Sequence, residues 1–183
     1  MVVMESVLIH VCCAHCAAYT VQHWRQQGYA LSALWYNPNI HPYQEHQHRL
    51  ESMRALAEEI RLPLSVVDSY DIVEYFRRVV GHEAERCRHC FNLRLSRTAE
   101  IARQQGFTYF TTTLLISPHQ KHDLIQEIGN TLAEETGIKF LYADLRKRYS
   151  DSRHITKPLN LYRQQYCGCV YSEWERYSGT SQA

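Results

Sequence analysis

The chain has 183 residues, of which 45% are hydrophobic and 21% charged, the mix of a globular protein with one real core rather than a disordered tail. Lys plus Arg number 20 against 19 Asp plus Glu, a formal net charge of +1, which excludes coating nucleic acid by bulk charge but leaves room for a local basic patch. No apolar run reaches the ~18–20 residues of a membrane span, and Arg25 is the first basic residue, so no charged leader is expected and a cytoplasmic protein is.

Val7, Leu8, Ile9 and Val11 form a short apolar run that predicts a buried strand, and it leads straight into Cys12, Cys13, Ala14, His15 and Cys16. A helix follows, with Ala17, Val21 and Trp24 on one face and Gly28 as its stop. Ala30 to Tyr36 reads as a second strand, turned away by Asn37-Pro38-Asn39. Pro42 can open the next helix in its first turn, and Leu50, Met53, Ala57 and Ile60 keep a three-to-four spacing up to Leu62-Pro63. Leu64 to Val67 predicts a third strand. Ile72, Tyr75, Phe76 and Val79 predict a helix ending near Gly81, and another is expected from about Cys90 to Gly106 with Leu95, Ala99 and Ala102 in phase. Tyr109 to Leu115 is β-branched and apolar, hence strand. Ser117-Pro118 is expected to open a helix carrying Leu124, Ile125, Ile128 and Leu132, and Lys139 to Tyr142 gives a last strand.

Strands alternating with helices predict an α/β fold, a single domain over residues 1–183 with a mostly parallel sheet flanked by helices. Ligands of such sheets gather beyond the carboxyl ends of the strands. The cysteine run after the first strand, the Asn-Pro-Asn turn after the second, and Thr111 to Ser117 all fall there, which points to one site.

Seven cysteines stand in three groups: Cys12, Cys13 and Cys16; Cys87 and Cys90; Cys167 and Cys169. An odd count in a chain expected to be cytoplasmic argues against structural disulfides and for metal or redox chemistry. Short gaps let a turn or helix start aim two sulfurs the same way, and thiolates are the soft ligands of zinc and iron–sulfur clusters. A lone cysteine is more often a small buried core residue; seven in tight groups are not. Four thiolates would satisfy tetrahedral zinc or a four-iron cluster, and the surplus of three suggests a second iron or a redox-active pair. Cys16 and Cys90, at expected helix starts, should have thiol pKa values lowered by the helix dipole.

With these groups in place, the chain resembles the QueH-type epoxyqueuosine reductases, which carry out the last step in making queuosine in tRNA. The likeness rests on six segments: Leu8-Ile9-His10-Val11-Cys12-Cys13-Ala14-His15-Cys16; Tyr36-Asn37-Pro38-Asn39-Ile40-His41-Pro42; Glu85-Arg86-Cys87-Arg88-His89-Cys90-Phe91 with Arg94-Leu95; Thr111 to Pro118; Tyr162-Arg163-Gln164-Gln165-Tyr166-Cys167-Gly168-Cys169; and Tyr171-Ser172. His15 stands where the family commonly has proline and becomes a candidate substrate contact.

The resemblance implies a QueH-like domain on a HUP, Rossmann-like fold with metal-binding loops at the strand ends. It also implies a [4Fe-4S] cluster and an additional redox or mononuclear iron site, tRNA as partner, and an external electron donor. Residues Cys12 to Cys16 fill the place of the phosphate loop, so no ATP chemistry is expected. The working division gives the cluster Cys12, Cys13, Cys87 and Cys90, leaving Cys16, Cys167 and Cys169 for the second centre. Adjacent residues on extended chain point opposite ways, so Cys12 and Cys13 could also serve different metals.

Candidate proton donors are His10, His15, His41, His89 and Asp144, with His41 preferred for its motif. Two basic segments, residues 86 to 103 and 144 to 163, adjoin the cysteine groups and are expected to meet phosphate, with Tyr36 and Tyr166 as stacking surfaces for an unpaired base. Two rivals remain at this level, a zinc-stapled RNA-binding module and an ATP-using carbonyl-activating enzyme. Brown colour bleached by dithionite separates the first rival from an iron–sulfur protein, and failure to bind ATP argues against the second.

Overall fold

A computed structural model describes residues 4–180. Five strands form one all-parallel sheet: β1 (Ser6–His10), β2 (Ala30–Trp35), β3 (Leu64–Val66), β4 (Tyr109–Thr112) and β5 (Lys139–Phe140), in the order β3-β2-β1-β4-β5. The α/β expectation holds. Between them run α1 (Ala14–Gln26), α2 (Tyr43–Glu59), α3 (Ile72–Val79), α4 (Arg86–Gln104) and α5 (His122–Thr136), followed by α6 (Tyr149–Thr156) and α7 (Val170–Ser178). No helix among the described residues is long and apolar enough to cross a membrane.

Strand periodicity divides the core between the two faces of the sheet. Val7, Ile9, Leu31, Ala33 and Trp35 face a cluster completed by α1 and α2 residues such as Val21, Trp24, Met53 and Leu56. Leu8, Leu34 and Phe110 face the other, with Leu95 and Ala99 of α4 and Ile125 and Ile128 of α5. Gly129 lets α5 lie directly on β5, because a Cβ there would stand 2.3 Å from the Phe140 ring. From β1 the chain winds one way through β2 and β3, then returns to add β4 and β5 on the other side. The carboxyl ends of β1 and β4 therefore form a topological switch point, where parallel sheets leave a crevice.

Strands β2, β3 and β5 end one or two residues early, and three boundaries depart further from the sequence reading. The fourth strand stops at Thr112, and Thr113–Ile116 forms a 3-10 turn, begun by Thr112 Oγ1 accepting the Leu114 N–H at 3.2 Å. Helix α5 starts at His122 rather than at Pro118. Helix α4 begins at Arg86, so Cys87 and Cys90 both lie in its opening turns. Residues 143–180 had no predicted elements. They return across the strand ends, with α6 against α1 through Ser152, whose hydroxyl accepts the Tyr19 N–H at 3.0 Å and donates to His15 O.

Candidate metal centre and substrate cleft

Beyond β1 the backbone turns sharply. Cys13 is the N-cap of α1, extended at φ −172°, and its sulfur accepts the Cys16 N–H at 3.3 Å. This cap folds the run back on itself, so the sulfurs of Cys12, Cys13 and Cys16 all lie within 4.8 Å of one another, buried. Cys12 and Cys13 therefore share one site instead of diverging: their sulfurs are 4.0 Å apart. The Cys12 N–H donates to Thr113 Oγ1 at 3.2 Å, and the same oxygen lies 3.4 Å from the Cys12 sulfur, which ties the thiol run to the end of β4 across the switch point.

Hydrogen bonding from the Cys13 and Cys16 thiols holds Cys12 well below the usual thiol range. The same hydrogen bonds push Cys13 up to about 12 and Cys16 well above its ordinary value. Burial pushes Cys90 up to about 12 as well. The expectation of dipole-lowered thiols at Cys16 and Cys90 is thus corrected. At Cys16 the hydrogen bonds to Cys12 and Cys13, with burial added, outweigh the helix terminus, and at Cys90 desolvation of the thiolate does.

The other four thiols approach from two directions. Cys87 packs against the core cluster that holds Cys12, Cys13 and Cys16. Cys90 and Cys169 are buried together with Tyr36 and Tyr75. All seven thiols are free. Gly168 makes the Cys-Gly-Cys turn at φ +155°, with its carbonyl accepting the His41 N–H at 2.8 Å and the Asn39 side chain 3.1 Å from where a Cβ would stand. Arg49 clamps the same turn from α2. Paired with Glu45 at 2.7 Å, it donates to Cys167 O at 2.8 Å and Tyr166 O at 3.0 Å.

A cleft of about 480 Å³ opens over this centre, and Cys12, Cys16 and Cys167 line it together. Cys16, expected beside Cys167 and Cys169, belongs to the Cys12–Cys13 triangle and meets Cys167 only across the cleft. Gln164 Nε2 donates to the Cys13 sulfur at 2.9 Å and Gln120 Nε2 to the Cys167 sulfur at 3.3 Å. His15, His119, Tyr149 and Tyr166 complete the wall. Arg94 is buried at 1% exposure, with its Nε donating to Cys90 O at 3.3 Å, Nη2 unpartnered and no carboxylate pairing with it among the described residues. The thiols facing it are those of Cys90, Cys167 and Cys12.

Several predicted site residues take other places. His41 is not free to donate a proton to substrate, because its Nδ1 accepts the Val170 N–H at 3.2 Å and its Nε2 donates to Pro38 O at 2.9 Å. It is a clasp between the Asn-Pro-Asn turn and the start of α7, and burial lowers its pKa. His10 is buried, its Nδ1 3.0 Å from Thr112 Oγ1 and its Nε2 3.1 Å from Asn37 Oδ1, and burial holds it at about 4. His89 and Asp144 do not line the cleft. Tyr36 is a core residue whose hydroxyl donates to Asp71 at 2.9 Å, so it is no stacking platform.

The basic segment at 86 to 103 is largely consumed: Arg86 pairs with Glu175, Arg88 with Glu127 and Arg97 with Glu100, while Arg94 is buried. Arg49, His119, Gln120 and Tyr149 were missed. Only the Glu45–Arg49 spacing of four, a helix ion pair, was a signal for any of them.

The comparisons with known proteins come to one family. A family model described as Epoxyqueuosine reductase QueH matches residues 7–175. A protein of Dehalococcoides mccartyi named Epoxyqueuosine reductase QueH is 58% identical over 172 residues, covering 94% of this chain and 94% of the relative. A relative of the same name from Thermotoga maritima is 37% identical, covering 94% and 93%. A crystal structure titled as a predicted subunit of tRNA methyltransferase from Methanocaldococcus jannaschii matches with TM-score 0.60 over 85% of this chain and 76% of that one, at 11% identity, a likeness of fold alone.

Proposed function

The chain belongs to the epoxyqueuosine reductase QueH family, and from that premise we propose that it reduces the epoxide of epoxyqueuosine in tRNA to the alkene of queuosine. The observation that carries this reading at the level of residues is the triangle of three buried thiols at the switch point, opening onto a cleft with Cys167 on its far wall. Converting an epoxide to an alkene releases the oxygen as water and consumes two electrons and two protons. The electrons come from an external donor, and the site of action is the cytoplasm, with the tRNA.

Seven free thiols, three of them in one buried triangle and Cys167 across the cleft from it, fit a thiolate-bound iron centre by donor type and number. Cys12, Cys13, Cys87 and Cys90 are the donors we assign to a four-iron cluster: Cys87 packs on the core that holds Cys12 and Cys13, while Cys16 of that core also lines the cleft that Cys167 faces. Cys16, Cys167 and Cys169 remain for a second iron or a redox pair. When bound, these groups supply single electrons and a Lewis acid for the epoxide oxygen.

The chain's own residues do the rest. Gln120 and Gln164 fix the sulfurs at the cleft wall, and Arg49 and His41 hold the Cys-Gly-Cys turn in place. The imidazole of His119 stands at the cleft wall, where it can pass protons to the leaving oxygen. Tyr166 and Tyr149 offer ring faces beside the thiols for a base lifted out of the anticodon loop.

The test is anaerobic metal analysis with turnover. The reading expects about four sulfides and more than about four irons per chain, with epoxyqueuosine-bearing tRNA converted to the queuosine form when a reductant is supplied. Stoichiometric zinc without sulfide would overturn it in favour of a stapled RNA-binding module. Cys87→Ala and Cys90→Ala should each strip the four-iron absorbance, whereas Cys167→Ala should abolish reduction and leave most of that absorbance. Loss of colour in the Cys167 variant would move that thiol into the cluster's ligand set.

A further inference from the structure

A second cavity of about 500 Å³ adjoins the thiol cleft, and the two share His15, Arg153 and Arg163 as a common wall. Lys157, Thr156 and Asn160 are among the residues that complete it, and no carboxylate lines it. Several cations elsewhere on the protein are spent in ion pairs. Arg86, Arg88, Arg97, Arg146 and Arg148 each pair with an Asp or Glu. Among the described residues the side chains of Arg153, Lys157 and Arg163 pair with none. Three unneutralised cations around one concavity form a site for an anion.

The wall also holds an unfulfilled polar atom. His15 Nδ1 is 2.6 Å from Thr156 Oγ1, while Nε2 on the other side of the ring is buried without a hydrogen-bond partner. A buried ring nitrogen left unpaired forgoes its hydrogen bond to water, so a ligand that supplies a partner recovers that loss. The Thr156 hydroxyl lies 3.1 Å from Ser152 O and can donate there or to His15, so Nε2 either accepts or donates according to the tautomer. A ribose 2′-hydroxyl does both and satisfies Nε2 in each case.

We propose that this cavity binds the ribose and phosphate of the nucleotide next to the one undergoing reduction, with Arg153, Lys157 and Arg163 on the phosphate and His15 Nε2 on the 2′-hydroxyl. The inference rests on the tRNA reading above and adds where the flanking nucleotide sits. Because the two cavities share a wall, a base entering the thiol cleft carries its neighbour's backbone into the second one. His15 then serves as a contact that distinguishes RNA from DNA at that position.

The probe is a fluorescein-labelled 17-nucleotide RNA anticodon hairpin, its binding to the anaerobically purified protein followed by anisotropy across KCl concentrations. Lys157→Gln and Arg163→Gln should each weaken binding about tenfold at low salt, as loss of one charge-assisted phosphate contact does. Each should also reduce the salt slope by about 0.7. Hairpins with a single 2′-deoxy nucleotide 5′ or 3′ of the target should lose about threefold or more at one of the two positions. That loss should vanish in His15→Pro, a residue tolerated in the first turn of a helix, and in His15→Ala as a second check.

A hairpin that binds the parent while both charge variants keep its affinity and slope overturns the proposal and leaves the tRNA reading standing. So does a 2′-deoxy effect undiminished in both His15 variants. Competition by millimolar AMP that depends on Lys157 would show a free mononucleotide site instead. Failure of the hairpin to bind the parent at low salt brings down the tRNA reading, and the proposal with it.

Discussion

Replacing Arg49 with methionine isolates what holds the Cys-Gly-Cys turn against the sheet. The guanidinium is 2% exposed and its partner Glu45 is 8% exposed, so both charges lie in the interior. Arg49→Met removes the 2.7 Å ion pair and two carbonyl hydrogen bonds, to Cys167 and Tyr166. It leaves the Glu45 carboxylate buried, with the Tyr162 hydroxyl as its remaining donor. Breaking one side of a buried pair costs about 3–5 kcal/mol, a large share of the ~5–15 kcal/mol that stabilises a domain of this kind. Urea unfolding followed by tryptophan fluorescence should therefore show a midpoint lower by roughly 1–5 M, for a slope of ~1–3 kcal/mol/M. Modification of Cys167 by a thiol reagent should accelerate as its turn loosens. Pairing Arg49→Met with Glu45→Leu removes the stranded charge and should recover part of the loss. An Arg49→Met protein within about 1 kcal/mol of the parent, or a double variant less stable than Arg49→Met alone, would refute the account of this clamp.

Other consequences follow from single residues. His46 accepts the Trp35 indole N–H at 3.0 Å, and burial, with Arg49 and His41 nearby, holds its pKa at about 4 against an ordinary 6.5. The share of stability owed to His46 should thus be full above about pH 6.5 and fall by about 3 kcal/mol as pH drops toward 4, where the unfolded chain takes the proton first. Urea titrations at several pH values should show that slope added to the one from His10, also held at about 4, and His46→Gln should remove its own share and leave that of His10. Arg94→Met should cost less stability in chelator-stripped protein than in the iron-loaded form, because the buried cation lacks a carboxylate and faces thiols; equal losses in two thermal melts would sink that role. Gly129→Ala should lower stability by about 1–3 kcal/mol through overlap with Phe140, measured by urea unfolding, while leaving iron content unchanged.

The sequence by itself determined the alternation of strands and helices through residue 142, because apolar runs and Gly or Pro stops are local properties of the chain. It also placed Cys12 to Cys16 and the Asn37 turn beyond strand ends, where a parallel sheet binds ligands. The short spacings of the seven thiols pointed to a candidate metal or redox centre without the fold. Tertiary structure decided the rest. That Cys12, Cys13 and Cys16 close into one triangle depends on Cys13 acting as a cap, a backbone choice that extended-chain reasoning reverses. The raised thiol of Cys90 follows from burial, which is set by neighbours distant in sequence, and that of Cys16 from the hydrogen bonds the triangle makes. His41 carries a motif's signature yet spends both ring nitrogens on backbone, while Arg49 outside any motif grips Cys167 from 118 residues away. Which arginines remain free for phosphate was equally invisible, since the carboxylates that neutralise Arg86 and Arg88 lie 89 and 39 residues off. Local pattern writes the elements and the donor types, and long-range packing decides which charges are paired, which thiols are dry and which ring nitrogens are left open.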